Sequence, residues 1–486
     1  MKINRNFKEF RFRHRGKNNQ IIYTSKKVKD DSEVIDLIDN FLIDKNSFIF
    51  ESVEKGKIKG RYTIFGKNPD KIWEFNNKSS YLIKNNKKIK LNEDPKFLIE
   101  KIIESFKFKI PSNLPPIASI ISGYFSYDSI RYIEKIPNNC EDDLNIPDVR
   151  LMRPRTLIIY DNLKKKIFYI INVFQDEKIS NYQKKYLEIN TELFQHFNKS
   201  FSQSLKKNNS SKSKKIVVKS NTAKKKFLKM VEKAKKYIKL GDIFQVVLSQ
   251  RFEAKLTKSP LEIYKKLRIT NPSPFMFYFN FKDFQIIGAS PEILVRLRDN
   301  KITVRPIAGT RPRGKTLTQD KFYERDLLKD KKELSEHLML LDLGRNDAGK
   351  VSKINSVKVT ESFIIERYSH VMHIVSNVVG KYNKKFSKFK SLLAGFPAGT
   401  VSGAPKIRAM EIIDELEKTK RKVYAGGIGY FSANGEFDTC IALRTAVAKK
   451  NKFYVQAGAG IVADSKPINE YRETVNKAKA LINALK

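Results

Sequence analysis

The chain has 486 residues, of which 41% are hydrophobic and 11% aromatic, so it can bury a large core and is too apolar for a disordered basic tail. Lys and Arg number 96 against 52 Asp and Glu, which gives a formal net charge of +44. The two cysteines, Cys140 and Cys440, are too few and too far apart for a disulfide framework or a CxxC metal site.

The positive charge raises the alternative of a nucleic-acid-binding protein. Lysine far outnumbers arginine and is spread along the whole chain, which favours a compositional bias at tolerant surface positions over a binding patch. The N-terminal residues contain no apolar signal-peptide core, and no apolar run approaches the ~18 residues of a membrane span. We therefore expect a cytoplasmic protein with no membrane and no specific nucleic-acid partner.

Residues 1–200 predict a mostly β region with a few helices, because short alternating or apolar runs dominate. The predicted strands are Ser47–Glu51, Arg61–Phe65, Ile117–Phe125 and Thr156–Val173, with a hairpin near Asn85–Lys88 and helices at Glu33–Ile43 and Lys96–Phe106. Residues 201–226 are rich in Ser, Lys and Asn and predict a flexible linker.

Residues 227–486 predict a second domain, whose first helix, Ala223–Leu240, begins within the linker and has a helical apolar period that Gly241 ends. Further helices are predicted at Lys321–Asp342, Pro405–Lys418 and Ile468–Leu485, and strands at Gln245–Gln250, Phe275–Phe281, Phe284–Gly288, Leu294–Leu297, Ile302–Val304, Gly426–Phe431, Phe437–Ala448 and Phe453–Gly458. Ile374–Val379 is an apolar run. Strands in blocks separated from helices predict an α+β fold with antiparallel sheet.

One loop matches a phosphate-binding pattern. Gly309–Thr316 reads G-x-x-x-x-G-K-T, but a phosphate cradle needs successive backbone N–H groups, and Pro312 has none to offer. Arg311 and Arg313 also crowd the loop. The acidic residue expected at the end of a buried strand would be Asp342, which instead continues an amphipathic helix. An NTPase site is therefore disfavoured.

Two pairs of glutamates carry a stronger signal. Glu333 with Glu336, and Glu470 with Glu473, are three residues apart, so each pair lies on one face of its predicted helix. Two facing helices could present up to four carboxylates to one hard cation, for which Mg²⁺ is the natural choice. The Glu-x-x-His spacing of a di-iron site is absent. The alternative is that all four are ordinary solvated side chains.

Three further features could bind or transform a ligand. Gly458-Ala459-Gly460 follows a predicted strand, and its small residues allow close approach of a ligand to the backbone. Arg444 is a charge in an otherwise apolar predicted strand, so it needs either a substrate carboxylate or an internal Asp or Glu. His370 and His373 are too few for a metal triad, and each is either an acid or base or a satisfied core histidine.

Many ordered motifs identify a resemblance over nearly the whole length. The matching stretches are Phe50–Gly66, Gly241–Phe252, Asn271–Tyr278 (NPSPFMFY), Gly288–Glu292 (GASPE), Arg305–Gly314 (RPIAGTRPRG), Lys332–Asp347 (KELSEHLMLLDLGRND), Arg367–His373 (RYSHVMH), Phe396–Lys406 (FPAGTVSGAPK), Tyr424–Tyr430 (YAGGIGY), Asp438–Ala446 (DTCIALRTA) and the QAGAGIVADS and YRETVNKA segments. The chain resembles the chorismate-utilising enzymes, in particular the large (component I) chains of anthranilate synthases. The resemblance implies antiparallel sheets packed as a sandwich with helices outside.

The resemblance also implies a lyase reaction in which ammonia adds to chorismate and pyruvate is eliminated, leaving anthranilate, the first step of tryptophan biosynthesis. In this reading Glu336 and Glu473 hold Mg²⁺ beside Glu333, Glu470 and Gln245. Glu292 is the general acid and His373 assists the elimination. The implied remaining site residues are Thr400 in catalysis and Gly309, Thr310, Tyr424, Arg444, Gly458, Ala459, Gly460 and Lys477 in substrate binding.

Two departures favour anthranilate over relatives with other chemistry. Relatives that form isochorismate or salicylate carry a water-activating lysine where this chain has Gln245. Aminodeoxychorismate synthases, the folate-branch alternative, typically read PIKGT where this chain has Ala308. The chain has no glutaminase nucleophile. Ammonia must therefore come from a separate glutamine amidotransferase subunit or from solution, and the resemblance implies such a partner subunit, in a heterotetramer.

The N-terminal region of such chains carries a tryptophan feedback pocket, so the resemblance implies inhibition by tryptophan. The matching residues are Glu51, Ser52, Pro274, Phe275, Met276 and Phe277. Phe275 stands where tyrosine is more usual, so the sequence leaves the strength of inhibition open.

Overall fold

The computed structural model describes residues 1, 3–29, 31–54, 57–198, 216–368 and 371–486. The helices are α1 Phe7–Arg15, α2 Ser32–Phe41, α3 Pro95–Ser105, α4 Tyr182–Asn198, α5 Lys224–Lys239, α6 Pro260–Thr270, α7 Leu317–Lys329, α8 Lys331–Gly349, α9 Lys388–Ala394, α10 Lys406–Leu416 and α11 Pro467–Ala484, with 3-10 turns at Tyr127–Tyr132 and Gly399–Val401. None of these helices combines the length and apolar composition needed to cross a membrane.

The strands in the same residues are β1 Gln20–Lys27, β2 Ser47–Glu51, β3 Val53–Glu54, β4 Lys57–Ile58, β5 Tyr62–Asn76, β6 Ser79–Lys84, β7 Lys87–Leu91, β8 Ile120–Phe125, β9 Val149–Asp161, β10 Lys166–Val173, β11 Val218–Ser220, β12 Gln245–Lys255, β13 Phe275–Asn280, β14 Gln285–Ser290, β15 Ile293–Arg298, β16 Lys301–Val304, β17 Ile307–Pro312, β18 Lys358–Arg367, β19 Val371–Lys381, β20 Gly403–Ala404, β21 Gly427–Ser432, β22 Phe437–Ile441, β23 Thr445–Lys449 and β24 Lys452–Ile461. Ladders join 22 of them into one network, while β3 and β4 pair separately.

The two predicted domains share this network. Strand β2 pairs with β13, and β8 pairs with β21, so strands from before residue 200 alternate with strands from after residue 227. The ladders between these strands are antiparallel, as they are for β12 with β24. The α+β prediction is confirmed, but residues 1–200 and 227–486 do not form separate sheets.

The core has the layers of a sandwich. One cluster consists of strand and loop residues from both parts of the chain, with strand residues such as Phe48, Met152 and Phe277 in the majority, as expected for the space between sheet faces. Two other clusters pack helices on the outer faces. Helices α3, α5, α9 and α10 contribute to one cluster, and α2, α4, α6 and α11 to the other.

Three predicted elements are each divided into two in the structure, because a turn or a cap interrupts them. The predicted helix Lys321–Asp342 is two helices, α7 and α8, divided at Asp330, whose carboxylate accepts the N–H groups of Lys332 and Glu333 and so caps α8. The predicted strand Thr156–Val173 is the hairpin of β9 and β10. The predicted strand Phe437–Ala448 breaks into β22 and β23 at Arg444, which has a positive φ of 46°.

The predicted linker 201–226 lies partly outside the described residues, which resume at 216. Its described part is ordered: β11 pairs with β12 where the prediction placed a flexible chain. Helix α5 begins at Lys224, which confirms the helix predicted from Ala223, and its apolar side chains such as Phe227 pack into the core.

We expect Gly123→Ala to destabilise the joint between the two parts of the chain. Gly123 pairs with Leu151 of β9 and Gly429 of β21, and a Cβ there would collide with the backbone of Arg150 and Leu151. The cost should be about 1–3 kcal/mol or more in the free energy of unfolding, measured in urea. Gly349→Ala, at a helical position with no atom within 4 Å of the added Cβ, is the control and should not destabilise. Equal stabilities would contradict this account.

Candidate active site

Glu292 is a buried carboxyl group in the short segment between β14 and β15. The hydroxyl of Thr400, in the 3-10 turn Gly399–Val401, donates to both carboxyl oxygens at 3.2 and 3.3 Å. Burial raises the pKa of Glu292 to about 8, against the lowering effect of hydrogen bonds from Thr400 and the backbone of Ile307. The group therefore holds a proton at neutral pH and can act as a general acid.

His373 lies on β19, opposite the irregularity in β17 at Gly309, which has a positive φ of 63°. Its Nδ1 is 2.9 Å from the carbonyl oxygen of Gly309 and 3.1 Å from Oγ1 of Thr310. Burial, with Arg444 and Lys477 nearby, lowers the pKa of His373 to about 4. Because the carbonyl can only accept, Nδ1 carries the proton and Nε2 is an unprotonated base. His370, the other predicted candidate, lies outside the described residues.

Tyr368 is a neighbour of His373 that the sequence prediction missed. Its ring meets the imidazole edge-on with centroids 5.5 Å apart, and its hydroxyl donates to Glu366 at 2.7 Å. Glu366 in turn pairs with Arg305 at 2.7 Å. Tyr368 belongs to the quoted RYSHVMH segment, so the motif contained the residue, but only the fold shows what it contacts.

The four predicted carboxylates come from facing helices, α8 and α11. Burial raises the pKa of Glu336, and the negative charges of Glu333 and Glu473 raise it further. Glu333 pairs with Arg311 at 3.4 Å, Glu473 pairs with Lys477 at 2.7 Å, and Glu470 hydrogen-bonds Ser465. Among the described residues, the hydrogen-bond partner of the Glu336 carboxylate is the side-chain amide of Gln245, at 3.4 Å. Within the described ranges, no three His, Cys, Asp or Glu side chains form a ready-made metal-binding group.

Gly458 and Gly460 on β24 lie against the same helices. A Cβ at Gly460 would be 2.5 Å from Nε2 of Gln245 and 3.9 Å from Oε1 of Glu336. A Cβ at Gly458 would be 2.7 Å from the hydroxyl of Tyr424. An alanine would therefore displace the Gln245 amide at Gly460 or the Tyr424 hydroxyl at Gly458. Ala459, between the two glycines, is buried. Because successive strand residues point to opposite faces of the sheet, its methyl group lies on the face opposite to the one on which a Cβ at Gly458 or Gly460 would lie.

Tyr424 and Lys477 flank these glycines. Burial raises the pKa of Tyr424 to about 12, and Lys477 Nζ donates to the carbonyl oxygen of Gly458 at 3.1 Å. Both groups are therefore available as hydrogen-bond donors to an anion at neutral pH.

The sequence predicted Arg444 within a strand, but it lies in the break between β22 and β23. Burial lowers the pKa of its guanidinium, with Tyr368 as the only opposing influence, and no carboxylate of the described residues forms an ion pair with it. The alternative of an internal Asp or Glu partner is therefore wrong within these residues. The guanidinium is free to hold an external carboxylate.

The loop that matches the phosphate pattern has other partners. Arg311 pairs with Asp330 at 2.7 Å as well as with Glu333, and Asp320 accepts the N–H of Gly314 at 2.7 Å. Carboxylates of α7, of α8 and of the cap residue Asp330 therefore occupy the groups that a phosphate would need. A Cβ at Gly309 would be 3.3 Å from Oε2 of Glu333, so this loop joins the carboxylate cluster to His373.

A separate cavity of about 480 Å³ is lined by all six residues predicted to bind tryptophan, and also by Arg61, Arg296, Arg298, Arg305, Glu366, Tyr368, Tyr430 and Asp438. Glu51 was predicted to bind tryptophan, but its carboxylate already has partners within the protein. It is buried against α6, where it accepts from Arg268 Nε at 2.9 Å and from the hydroxyl of Tyr264 at 2.5 Å. Tyr368 and Glu366 lie in the wall between this cavity and His373.

Comparison with known proteins agrees with this geometry. A family model described as chorismate binding enzyme matches residues 48–483. The chain therefore belongs to the family of chorismate-binding enzymes.

Individual relatives narrow the similarity within that family. The chain is 47% identical over 475 residues to the anthranilate synthase component 1 of Cereibacter sphaeroides, covering 96% of this chain and 94% of the relative. It is 40% identical to the crystal structure of anthranilate synthase component I from Streptococcus pneumoniae TIGR4, with a TM-score of 0.77, covering 87% of this chain and 93% of that one. A menaquinone-specific isochorismate synthase from Escherichia coli, 18% identical with a TM-score of 0.71 over 96% of this chain and 95% of that one, shares the fold alone.

The raised pKa of Glu292 predicts a pH-dependent stability difference. Between pH 4.5 and about 8 the folded state holds a proton at Glu292 that the unfolded chain has released, so the free energy of unfolding falls as the pH rises through this range. Glu292→Gln removes this effect. Its stability relative to the natural chain should increase from pH 5 to pH 8.5, by at most about 1.4 kcal/mol per unit of pKa shift.

Urea unfolding of both chains at the two pH values measures this difference. His373 titrates alike in both and cancels. A difference that does not change with pH would mean that Glu292 is ionised in the folded protein.

Proposed function

We propose that the chain is the synthase component of an anthranilate synthase, a cytoplasmic lyase that converts chorismate and ammonia to anthranilate and pyruvate. The observation that supports the proposal is a set of neighbouring groups with suitable charge states: a protonated Glu292, a neutral His373 near Arg444 and Lys477, and a Glu336 near Glu333 and Glu473. Among the described residues, no carboxylate forms an ion pair with Arg444. Chorismate is a dianion, and the site offers one cationic group for a carboxylate and one acidic cluster for a metal-bound carboxylate.

Each chemical step has a group in the required protonation state. As ammonia adds at C2 of the ring, Glu292 donates its proton to the departing C4 hydroxyl, and the Thr400 hydroxyl holds the resulting carboxylate. The hydroxyl leaves as water, and the new ammonium group at C2 returns one proton to the Glu292 carboxylate. His373 Nε2 then accepts the C2 proton as the C3–O bond breaks, and the released enolpyruvate takes up one proton at its methylene carbon to become pyruvate. Arg444 and Tyr424 bind the enolpyruvyl carboxylate, with Lys477 and the N–H groups of the Gly458–Gly460 segment beside them.

The residues fit Mg²⁺. Glu336 and Glu473 provide oxygen ligands only, and Mg²⁺ usually takes one or two carboxylates and fills its other positions with water and substrate oxygens. Glu336 also lies close to the like charges of Glu333 and Glu473, whose repulsion Lys332 opposes only in part, so a divalent ion would relieve a repulsion already present. When bound, Mg²⁺ would neutralise and orient the ring carboxylate of the substrate. Glu333 and Glu470 lie beside the two ligands.

Two residues favour ammonia as the nucleophile. Gln245 is a neutral amide beside Glu336, and it cannot activate water as a base. Ala308 offers no amine to attack the ring, which distinguishes the proposal from the aminodeoxychorismate alternative. Both cysteines are unsuited to release ammonia from glutamine, because burial raises the pKa of Cys140 and of Cys440. We therefore include a glutamine amidotransferase partner, in a heterotetramer, in the proposal.

The purified chain with chorismate, Mg²⁺ and ammonium should develop anthranilate fluorescence. Glu336→Gln and Glu473→Gln should each lower kcat/KM by at least about 100-fold, because each removes a charged ligand whose effect is worth several kcal/mol. Glu232→Gln, on the exposed face of α5, is the matched control and should retain activity.

Other products would contradict the proposal in distinct ways. Accumulation of aminodeoxychorismate would assign the chain to the folate branch. Absence of chorismate turnover together with strong, salt-dependent DNA binding would favour the basic nucleic-acid-binding alternative.

Inhibition by tryptophan is the second part of the proposal. The cavity of about 480 Å³ is large enough for an indole amino acid, and its aromatic and arginine lining suits a ring and a carboxylate. Its wall includes Tyr368, which contacts His373. A ligand in the cavity would thus lie one residue away from the catalytic base.

Tryptophan should inhibit anthranilate formation, and Ser52→Phe should weaken that inhibition. Ser52 lines the cavity, and overpacking by a phenyl ring costs about 1–3 kcal/mol, which corresponds to about a 5- to 150-fold higher inhibition constant. Ser180→Phe, at an exposed position after β10, adds the same ring elsewhere and is the control. Unchanged inhibition in Ser52→Phe would place the tryptophan site outside this cavity.

A further inference from the structure

A buried ion pair outside the reacting groups contacts several of the elements that carry them. Arg421 and Glu417 lie between α10 and β21, with side chains only 1% and 4% exposed. Arg421 Nε donates to Glu417 Oε2 at 2.9 Å, and Nη2 donates to Oε1 at 2.5 Å. The guanidinium is therefore fixed by a bidentate contact to its own segment.

The remaining donors of Arg421 reach two other segments. Nη1 donates to the carbonyl oxygen of Val401 at 2.7 Å, next to Thr400. Nη2 also donates to the carbonyl oxygen of Val247 at 2.6 Å, on β12 two residues after Gln245. The planar fork of arginine makes these bonds in one rigid geometry, which a lysine cannot reproduce.

Two further contacts extend the same cluster. The guanidinium carbon lies 5.6 Å from the centre of the Tyr424 ring. Glu417 Oε1 accepts the backbone N–H and the hydroxyl of Ser249 at 2.7 and 2.8 Å, and so ties β12 to the pair a second time. Arg421 thus touches the segments that carry Thr400, Tyr424 and Gln245.

A contribution to the free energy of unfolding does not by itself explain a buried ion pair of this kind. Desolvation of the two charges offsets most of their attraction, and apolar residues of similar volume often stabilise a fold as well or better. The carbonyl groups of Val401 and Val247 point at the guanidinium, whose place no apolar side chain could take without leaving them unsatisfied.

We propose that Arg421 is a positioning residue for catalysis, which holds the Thr400 turn against Glu292 and the Tyr424 ring against Gly458 through its contacts to Val401 and Tyr424. This inference rests on the proposed function. Arg421 does not touch the substrate, and its effect on the reaction passes through the hydroxyl of Thr400 and the ring of Tyr424.

Arg421→Lys tests the proposal, with Arg150→Lys as the matched control. Arg150 is also buried and ion-paired, with Glu74 and Asp283, and lies away from the site. Arg421→Lys should lower kcat by about 10- to 100-fold, as expected for misplacement of a catalytic group by about an ångström, and should raise KM for chorismate. Arg150→Lys should leave both unchanged, whatever its stability in urea.

A double-mutant cycle of Arg421→Lys with Thr400→Val distinguishes a positioning role of Arg421 from a general structural defect. If Arg421 acts on kcat through Thr400, Arg421→Lys should lower kcat little further in the Thr400→Val background, whereas losses from an unrelated structural defect would multiply. Wild-type kcat and KM in folded Arg421→Lys, or losses that multiply, would overturn the proposal.

Glu417→Gln provides a second variant if Arg421→Lys does not fold. It keeps the side-chain volume and an acceptor for Ser249, and should give a smaller loss of kcat that also fails to multiply with that of Thr400→Val. Full activity or multiplying losses in Glu417→Gln would overturn the proposal. Failure of the unmodified chain to form anthranilate would instead overturn the proposed function itself.

Discussion

Two charged side chains of the active site, Glu336 and Arg444, have no ion-pair partner among the described residues, and the other groups around them only partly compensate their charges. Glu336 lies near two other carboxylates with a neutral amide as its partner, and Arg444 pairs with no carboxylate in the part of the chain that the structure describes. Burying an uncompensated charge costs free energy. A ligand carboxylate would compensate Arg444, and a cation bound with it would compensate Glu336. The arrangement that destabilises the free protein therefore favours binding of the ligand.

The acid and the base obtain opposite shifts in pKa from the same physical cause. Burial penalises the charged form, which is the carboxylate of Glu292 and the imidazolium of His373. Both groups are consequently neutral near pH 7, one with a proton to give and the other with a lone pair to receive one. Hydrogen bonds then select geometry: Thr400 orients the carboxyl group, and the Gly309 carbonyl fixes the histidine tautomer. Two neutral groups avoid adding charge to a site already dominated by it.

Much of the fold could be predicted because hydrophobic period is a local property. Strand β13 and helices α5 and α11 follow their apolar patterns closely. The division at Asp330 and the break at Arg444 could not be predicted in this way. An apolar run continues on both sides of Arg444, and the charged residues around Asp330 fit one continuous helix as well as two, so the determining features are a positive φ and a capping carboxylate. The predicted separation at the linker also failed, since pairing of β2 with β13 and of β8 with β21 is a contact between residues far apart in the chain.

The active site shows the same contrast between what local sequence patterns predict and what contacts between distant residues determine. Spacing of three residues predicted that Glu333 and Glu336 share a face, and motif resemblance placed His373, Glu292 and Arg444 near one another. Neither could supply the partners that set their charge state. Arg311 neutralises Glu333, and Arg268 turns the Glu51 carboxylate away from the cavity that this residue lines. Such partners belong to other elements of the fold, and a side chain's chemistry depends on them as much as on its own identity. A motif therefore names the reacting groups, while tertiary contacts decide which of them are free to react.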